Sequence, residues 1–357
     1  MNLSASMNRK IFKYPGYTIL LLLVLTFVSC NTGAEQKQET KAVSDTISDE
    51  ITRLNQAVTA NPGKTAPLVE RAKYYAHKSL YNEALADINA ALSIDDTDPI
   101  VYVGLGEVYL YSGKTQRALD ALKKARELAP QDSYVEVSIA RVYLAMSDYK
   151  QTFNALREAL KKDPNNAEAF FISGLANEEM GDTIKAIDSY QGAVSRNSKH
   201  YDALKQLGIL FSLRNDPLAI DYLRNAARLK PESPDALYIL GMHYQENNEP
   251  DKALSVYQEI LQIDSTFKYA HYNTGYVYLV YKAEYDNAVK AFDHAIILDP
   301  DYSDAVYNRG YAHELAGRVD AARKDYQAVL RMKVNDDKAI KGLNRLDAMA
   351  GGDGTSE

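Results

Sequence analysis

Six glycines recur at a near-constant spacing: Gly106, Gly174, Gly208, Gly241, Gly275 and Gly310 are separated by 68, 34, 33, 34 and 35 residues. A small residue follows each of them 11 to 13 positions later, at Ala118, Ala186, Ala219, Ala253, Ala288 and Ala322. A period of about 34 residues fits one helical hairpin repeated along the chain. Such a chain buries apolar surface between neighbouring hairpins and folds as a solenoid rather than a globule. Function is then to be sought on an extended binding surface, not in a catalytic pocket.

On this frame the body divides into eight units, starting near Thr65, Pro99, Ser133, Ala167, Tyr201, Pro234, Lys268 and Ser303. The second unit carries Tyr102, Leu105, Gly106, Tyr109, Gly113, Ala118, Leu122, Ala125 and Pro130. That wording resembles the tetratricopeptide repeat family, whose pattern is W-x2-L-G-x2-Y, then A-x3-F, then A and P. The resemblance covers residues 65–336. Gly or Ala at the eighth place (Gly106, Ala140, Gly174) lets the first helix of a unit approach the second, and the alanines typified by Ala118 and Ala125 do the same from the other side. Tyrosine at the eleventh place (Tyr75, Tyr109, Tyr143, Tyr244, Tyr278) fills the gap between hairpins, while Pro130, Pro164, Pro231 and Pro300 end second helices.

The resemblance implies an all-α fold: a right-handed superhelical solenoid of about eight helical hairpins, about 18 helices in all, with first helices lining a concave wall. Residues 47–64 read as an N-terminal capping helix and 337–350 as a C-terminal one, with Ile340, Leu343 and Leu346 inward and Lys341, Arg345 and Asp347 towards water. Two units break the frame. The fifth is one residue short, where Asp216-Pro217 reads as an N-cap followed by proline at the first helical position; the seventh is one residue long around 282–286.

Residues 1–29 have the build of a signal peptide. Arg9, Lys10 and Lys13 precede a ten-residue run over 19–28 interrupted only by Thr26, too short to span a bilayer as a helix. The run ends at Phe27-Val28-Ser29-Cys30, which resembles the lipobox of bacterial lipoproteins and implies cleavage before Cys30 and acylation of it. Cys30 is the chain's single cysteine, so no internal disulfide can form. Two or more acyl chains anchor firmly, at about 0.8 kcal/mol per buried methylene. Residues 30–46 then read as the lipidated cysteine and a flexible tether, reaching roughly 23 Å, and 351–357 as a disordered tail.

The net charge of the chain is −7, and removing the three cations of residues 1–29 gives −7 − 3 = −10. Nucleic acid, which binds through cations, is thereby disfavoured as a partner, and cationic or neutral peptide segments fit better. No catalytic constellation is legible. The six histidines, His77, His200, His243, His271, His294 and His313, fall at unrelated repeat positions, so no metal site is expected. His313-Glu314 begins like a zinc-protease motif without its second histidine. No phosphate loop or nucleophile elbow occurs, so neither enzyme activity nor a cofactor is expected.

The family's exposed first-helix places change character along the chain. Early units show Val69, Glu70 and Lys73, then Val103 and Glu107, then Tyr134, Val137 and Arg141. The last three show Tyr238 and Met242, then Tyr269, Tyr272, Asn273 and Tyr276, then Tyr307, Asn308 and Tyr311. Tyrosine offers contact area with a polar tip at low entropic cost, and asparagine can both donate to and accept from a peptide backbone. These nine residues are therefore the candidate partner-binding surface. The alternative is that the rings are repeat wording packed against the neighbouring helix. Lys205 has Ile209, not asparagine, as its companion, so the carboxylate clamp of some family members does not carry over.

The expectation is a non-enzymatic, lipid-anchored scaffold of a bacterial cell envelope, on a periplasmic or surface face, that binds envelope proteins or peptides. A glycan or small-ligand receptor, or a structural spacer that forms homo-oligomers, are the alternatives.

Overall fold

The computed structural model describes the backbone of residues 40–352 and the side chains of residues 49–349. The signal segment, Cys30, the first part of the tether and the last five residues lie outside the described residues. Among the described residues there are eighteen α-helices and no strand. No helix there is long and apolar enough to cross a membrane. The chain forms two compact units, divided after Asp182.

The first unit runs α1 (Thr40–Ala60), α2 (Thr65–His77), α3 (Tyr81–Ile94), α4 (Pro99–Tyr111), α5 (Thr115–Leu128), α6 (Ser133–Ala145), α7 (Tyr149–Lys162) and α8 (Ala167–Glu179). The second runs α9 (Thr183–Arg196), α10 (Tyr201–Leu213), α11 (Leu218–Leu229), α12 (Asp235–Glu246), α13 (Pro250–Ile263), α14 (Lys268–Val277), α15 (Tyr285–Leu298), α16 (Ser303–Leu315), α17 (Val319–Met332) and α18 (Asp337–Gly352). Each unit is an all-α solenoid of paired antiparallel helices, with α1 as the capping helix of the first and α18 as that of the second.

Local chemistry starts the helices. Asp98 accepts from the Ile100 N–H ahead of Pro99, Asp132 from Tyr134, Asp148 from Gln151 and Asn166 from Ala169, satisfying N–H groups that the helix itself leaves open. First helices are apolar on several faces because they are covered from two sides. In α4, Val101, Val103, Gly104, Gly106 and Val108 are all buried. Second helices bury one stripe; in α5 it is Ala118, Leu119, Ala121, Leu122 and Ala125.

The periodic small residues work by proximity. The six periodic alanines are fully buried. At Gly106 a Cβ would stand 2.7 Å from Leu122 Cγ, and at Gly241 one would stand 2.4 Å from Tyr257 Cε1. Each such glycine is a slot for a large side chain of the paired helix.

The turn between paired helices also repeats. Ser79, Gly113, Ser147, Gly181, Asn215, Asn248 and Gly317 hold the same place in their units, all with φ between 53° and 78°. That left-handed conformation suits glycine and asparagine. In the lengthened seventh unit the place falls to Ala283 at φ 52°, directly after a single π-helical turn, Tyr278–Lys282, that absorbs the extra residue. Alanine pays about 1 kcal/mol for this backbone, so Ala283→Gly is expected to raise stability by somewhat under 1 kcal/mol in urea unfolding. A loss instead would dispose of the strain argument. In the shortened fifth unit Asp216 accepts from the Leu218 N–H at 2.9 Å, and α11 begins at Leu218, one residue after Pro217.

The ends differ in detail from the sequence reading. Helix α1 begins at Thr40 rather than Ile47 and buries Leu54. In α18, Ala339, Gly342 and Leu346 face inward, while Ile340 is exposed. Arg345, expected in water, instead forks onto the buried carboxylate of Glu314 with contacts of 2.6 and 2.8 Å. The periodicity of α18 fits Gly342 against the Tyr326 ring, and that choice rotates Ile340 outward.

Candidate functional site

All nine candidate residues lie in the second unit, on three successive first helices: Tyr238 and Met242 on α12; Tyr269, Tyr272, Asn273 and Tyr276 on α14; Tyr307, Asn308 and Tyr311 on α16. Eight are half-buried, so each presents part of its surface and packs with the rest. The tyrosines form a chain of ring contacts. Tyr238 lies 6.1 Å from Tyr269, Tyr269 lies 6.2 Å from Tyr302, and Tyr302 lies 5.0 Å from Tyr272. Phe267 joins the first pair, 5.5 Å from Tyr238 and 5.7 Å from Tyr269. Tyr307 stacks on Tyr311 and tilts against the buried Tyr326.

Phe267 and Tyr302 were not among the sequence candidates. Each immediately precedes a first helix, as its N-cap residue. An aromatic at the last place of two successive units was the available signal.

The asparagines do not do what their residue type suggested. Asn273 is buried, only 7% exposed, and its amide lowers the hydroxyls of Tyr238 and Tyr257 against the rise that their burial causes. On α14 it therefore presents little of its surface to a ligand. Asn308 donates from Nδ2 to Tyr272 Oη at 2.9 Å. Burial pushes the hydroxyl of Tyr272 well above the ordinary tyrosine range, and Tyr276 and Tyr307 are raised for the same reason.

Cations already cover part of this face. Lys268 lies 5.3 Å over Tyr269 and pairs with Asp299 at 2.7 Å; Lys338 lies over Tyr307 and Arg345 over Tyr311. Glu246, at the end of α12, is different. It is largely exposed, and the partial loss of water on its protein side pushes its carboxyl up to about 7.

The corresponding places of the first unit serve packing and internal pairing. Val69, Val103 and Val137 are buried core rather than wall. Glu107 is shared by His77 at 3.2 Å and Lys73 at 3.8 Å, and Arg141 pairs with Glu168 at 2.6 Å across adjacent first helices. Burial works against ionising Glu107, but His77 and Lys73 outweigh it and hold its carboxyl below the usual range. Glu314, the acid of the incomplete protease motif, is taken by Arg345 and Tyr326. Among the described residues no group of three His, Cys, Asp or Glu could hold a metal ion.

Residues 58–199 match the profile of the cytochrome c-type biogenesis protein H TPR domain, and residues 209–266 and 270–337 match a tetratricopeptide repeat profile. No curated protein sequence matches the chain. Among solved structures, the C-terminal part of a TPR repeat-containing protein from Cytophaga hutchinsonii is 20% identical, with a TM-score of 0.58 over 68% of this chain and 99% of that one. The APC/C hetero-tetramer Cut9–Hcn1 is 18% identical, with a TM-score of 0.50 over 84% of this chain and 59% of that one. At these identities the likeness concerns the fold. The slot-and-plug hairpins and the two profile matches agree: the chain belongs to the tetratricopeptide repeat family, solenoids that mediate protein–protein interactions.

Proposed function

We propose that the chain is a non-enzymatic scaffold, anchored at a bacterial cell envelope through Cys30, that holds protein or peptide partners on the tyrosine face of its second unit. The anchor and the envelope location rest on the sequence of residues 1–30. The observation that carries the binding role is the half-buried tyrosine array on α12, α14 and α16, which combines exposed ring surface with fixed orientation. Rings locked by neighbours lose little entropy on binding, which favours them as contact points.

The test must spare the packing. Tyr272 is tied to Asn308 and packed on Phe292, and Tyr307 rests on Tyr326, so replacing either disturbs the fold. Met242→Ala, Tyr276→Ala and Tyr311→Ala together remove exposed surface with less damage. Affinity capture from detergent-solubilised membranes, with the intact chain as bait, is expected to lose its specific partners at least about ten-fold in this triple variant. Unchanged recovery from a variant that keeps its helical circular dichroism would remove the assignment.

A further inference from the structure

We propose that helices α5 and α7 of the first unit form a basic face that lies on an anionic phospholipid surface, the cavity between them taking a headgroup phosphate. The inference rests on the Cys30 anchor proposed above and adds which side of the first unit meets the lipid.

The first observation is a separation of charge. Helix α5 carries four cations against two acids, and α7 four against one, a joint net charge of +5 in a chain of net charge −7. The six other second helices lie between −2 and +1. An acidic chain is repelled by anionic headgroups except where its cations are gathered, and each lysine or arginine close to such a surface strengthens the contact several-fold. An anchored chain meets those headgroups at high effective concentration, which favours lipid over a dissolved acidic protein.

The second observation is that the fold brings these cations together. An open cavity of about 220 Å³ lies between α5 and α7, with α6 contributing to its lining. Lys123 and Arg126 line it from α5 and Arg157 from α7. Its two acids are already answered. Glu136, buried, pairs with Lys162 at 2.8 Å and with Arg126 at 3.7 Å, and Glu158 pairs with Lys161 at 2.7 Å. Arg157 is different: its guanidinium donates to Asn154 Oδ1 at 3.2 Å and meets no carboxylate among the described residues. Lys123 reaches only the exposed Asp120, at 3.3 Å, a surface pair of little strength. A guanidinium and an ammonium sharing one recess suit the oxygens of a phosphate.

The test uses the intact chain, purified with its anchor and reconstituted into vesicles. The sequence contains no tryptophan, so Gln116→Trp, exposed on α5, supplies a single fluorescence donor to dansyl-labelled headgroups. Energy transfer is expected to be at least about two-fold higher in phosphatidylcholine vesicles with about 25% phosphatidylglycerol than in phosphatidylcholine alone. Raising salt from about 0.1 M to about 1 M, which shortens the screening length to about 3 Å, should remove the difference. Lys123→Gln, Lys124→Gln, Lys150→Gln and Arg157→Gln together should remove it too, and they leave the pairs of Glu136 in place. Lys290→Gln with Lys324→Gln, exposed on α15 and α17, should leave it unchanged. Equal transfer in the two vesicles, or a difference that survives the four substitutions, would overturn the basic face. Flotation with vesicles in about 1 M salt reports the anchor separately. If the chain fails to float there, the anchor reading falls; flotation at about 0.1 M salt with phosphatidylglycerol alone would still support the face, and none would overturn it.

Discussion

Gly241→Val is expected to destabilise the second unit by about 3 kcal/mol, although valine is the better helix former of the two. Its helix propensity exceeds that of glycine by a few tenths of a kcal/mol. Against this stands steric conflict: even the first added carbon would meet the Tyr257 ring at 2.4 Å. Tyr257 cannot step aside, because it is fully buried and its hydroxyl donates to Gln245 Oε1 at 3.0 Å. Overpacking of this kind typically costs 1–3 kcal/mol, and here the ring and its hydrogen bond are disturbed together. The check is urea unfolding combined with amide exchange in α12 and α13. Tyr257→Ala alone should cost a further few kcal/mol, but combined with Gly241→Val it should cost clearly less than the sum. Strict additivity would show that the two residues do not share one space.

Arg345→Met carries the second large effect, and its signature is a change in pH dependence. Glu314 is buried, and burial alone would raise its carboxyl. The fork from Arg345, helped by the Tyr326 hydroxyl, outweighs burial and holds it below its ordinary 4.5. A depressed carboxyl contributes stability that is present above the unfolded value and lost as pH falls through the folded one. The wild-type chain should therefore hold level from pH 7 to about 5 and loosen at more acid pH. Without Arg345 the same carboxylate is buried and unanswered, so its folded value rises above the unfolded one. Stability is then fullest at acid pH and declines as pH rises towards 7, reversing the slope. Stranding a buried charge costs 3–5 kcal/mol; with two-fifths of the Arg345 side chain in water, about 2 kcal/mol at pH 7 is expected. Methionine keeps an unbranched apolar stem while removing the guanidinium that lies over Tyr311. Thermal melts of both proteins between pH 4.5 and 7.5 measure the two slopes, and parallel curves would contradict the pairing argument.

The architecture was legible in the chain because each hairpin solves the same packing problem. Small residues at fixed intervals announced close helix approach, and the buried alanines and the slots at Gly106 and Gly241 are that approach in three dimensions. The frame break at residues 282–286 was visible too, but not its solution. A one-residue excess can be looped out or wound into a helix, and only the packing of Tyr278 and Leu279 decides between them. The tyrosines of the candidate face were readable as a cluster, since they share helical places. The asparagines misled because donor capacity says nothing about whether a neighbour has already taken it. Asn273 is buried by packing against other helices, which no local pattern encodes, and Asn308 is taken by Tyr272, 36 residues distant.

The left-handed turn repeated between paired helices has a consequence for how the molecule can vary. Every hairpin among the described residues reverses at one residue in the left-handed conformation. Length can change by one residue in the helix that leads into this corner, as the π turn before Ala283 already illustrates. A lineage of such chains can re-aim one stretch of its surface while the remaining hairpins keep their register.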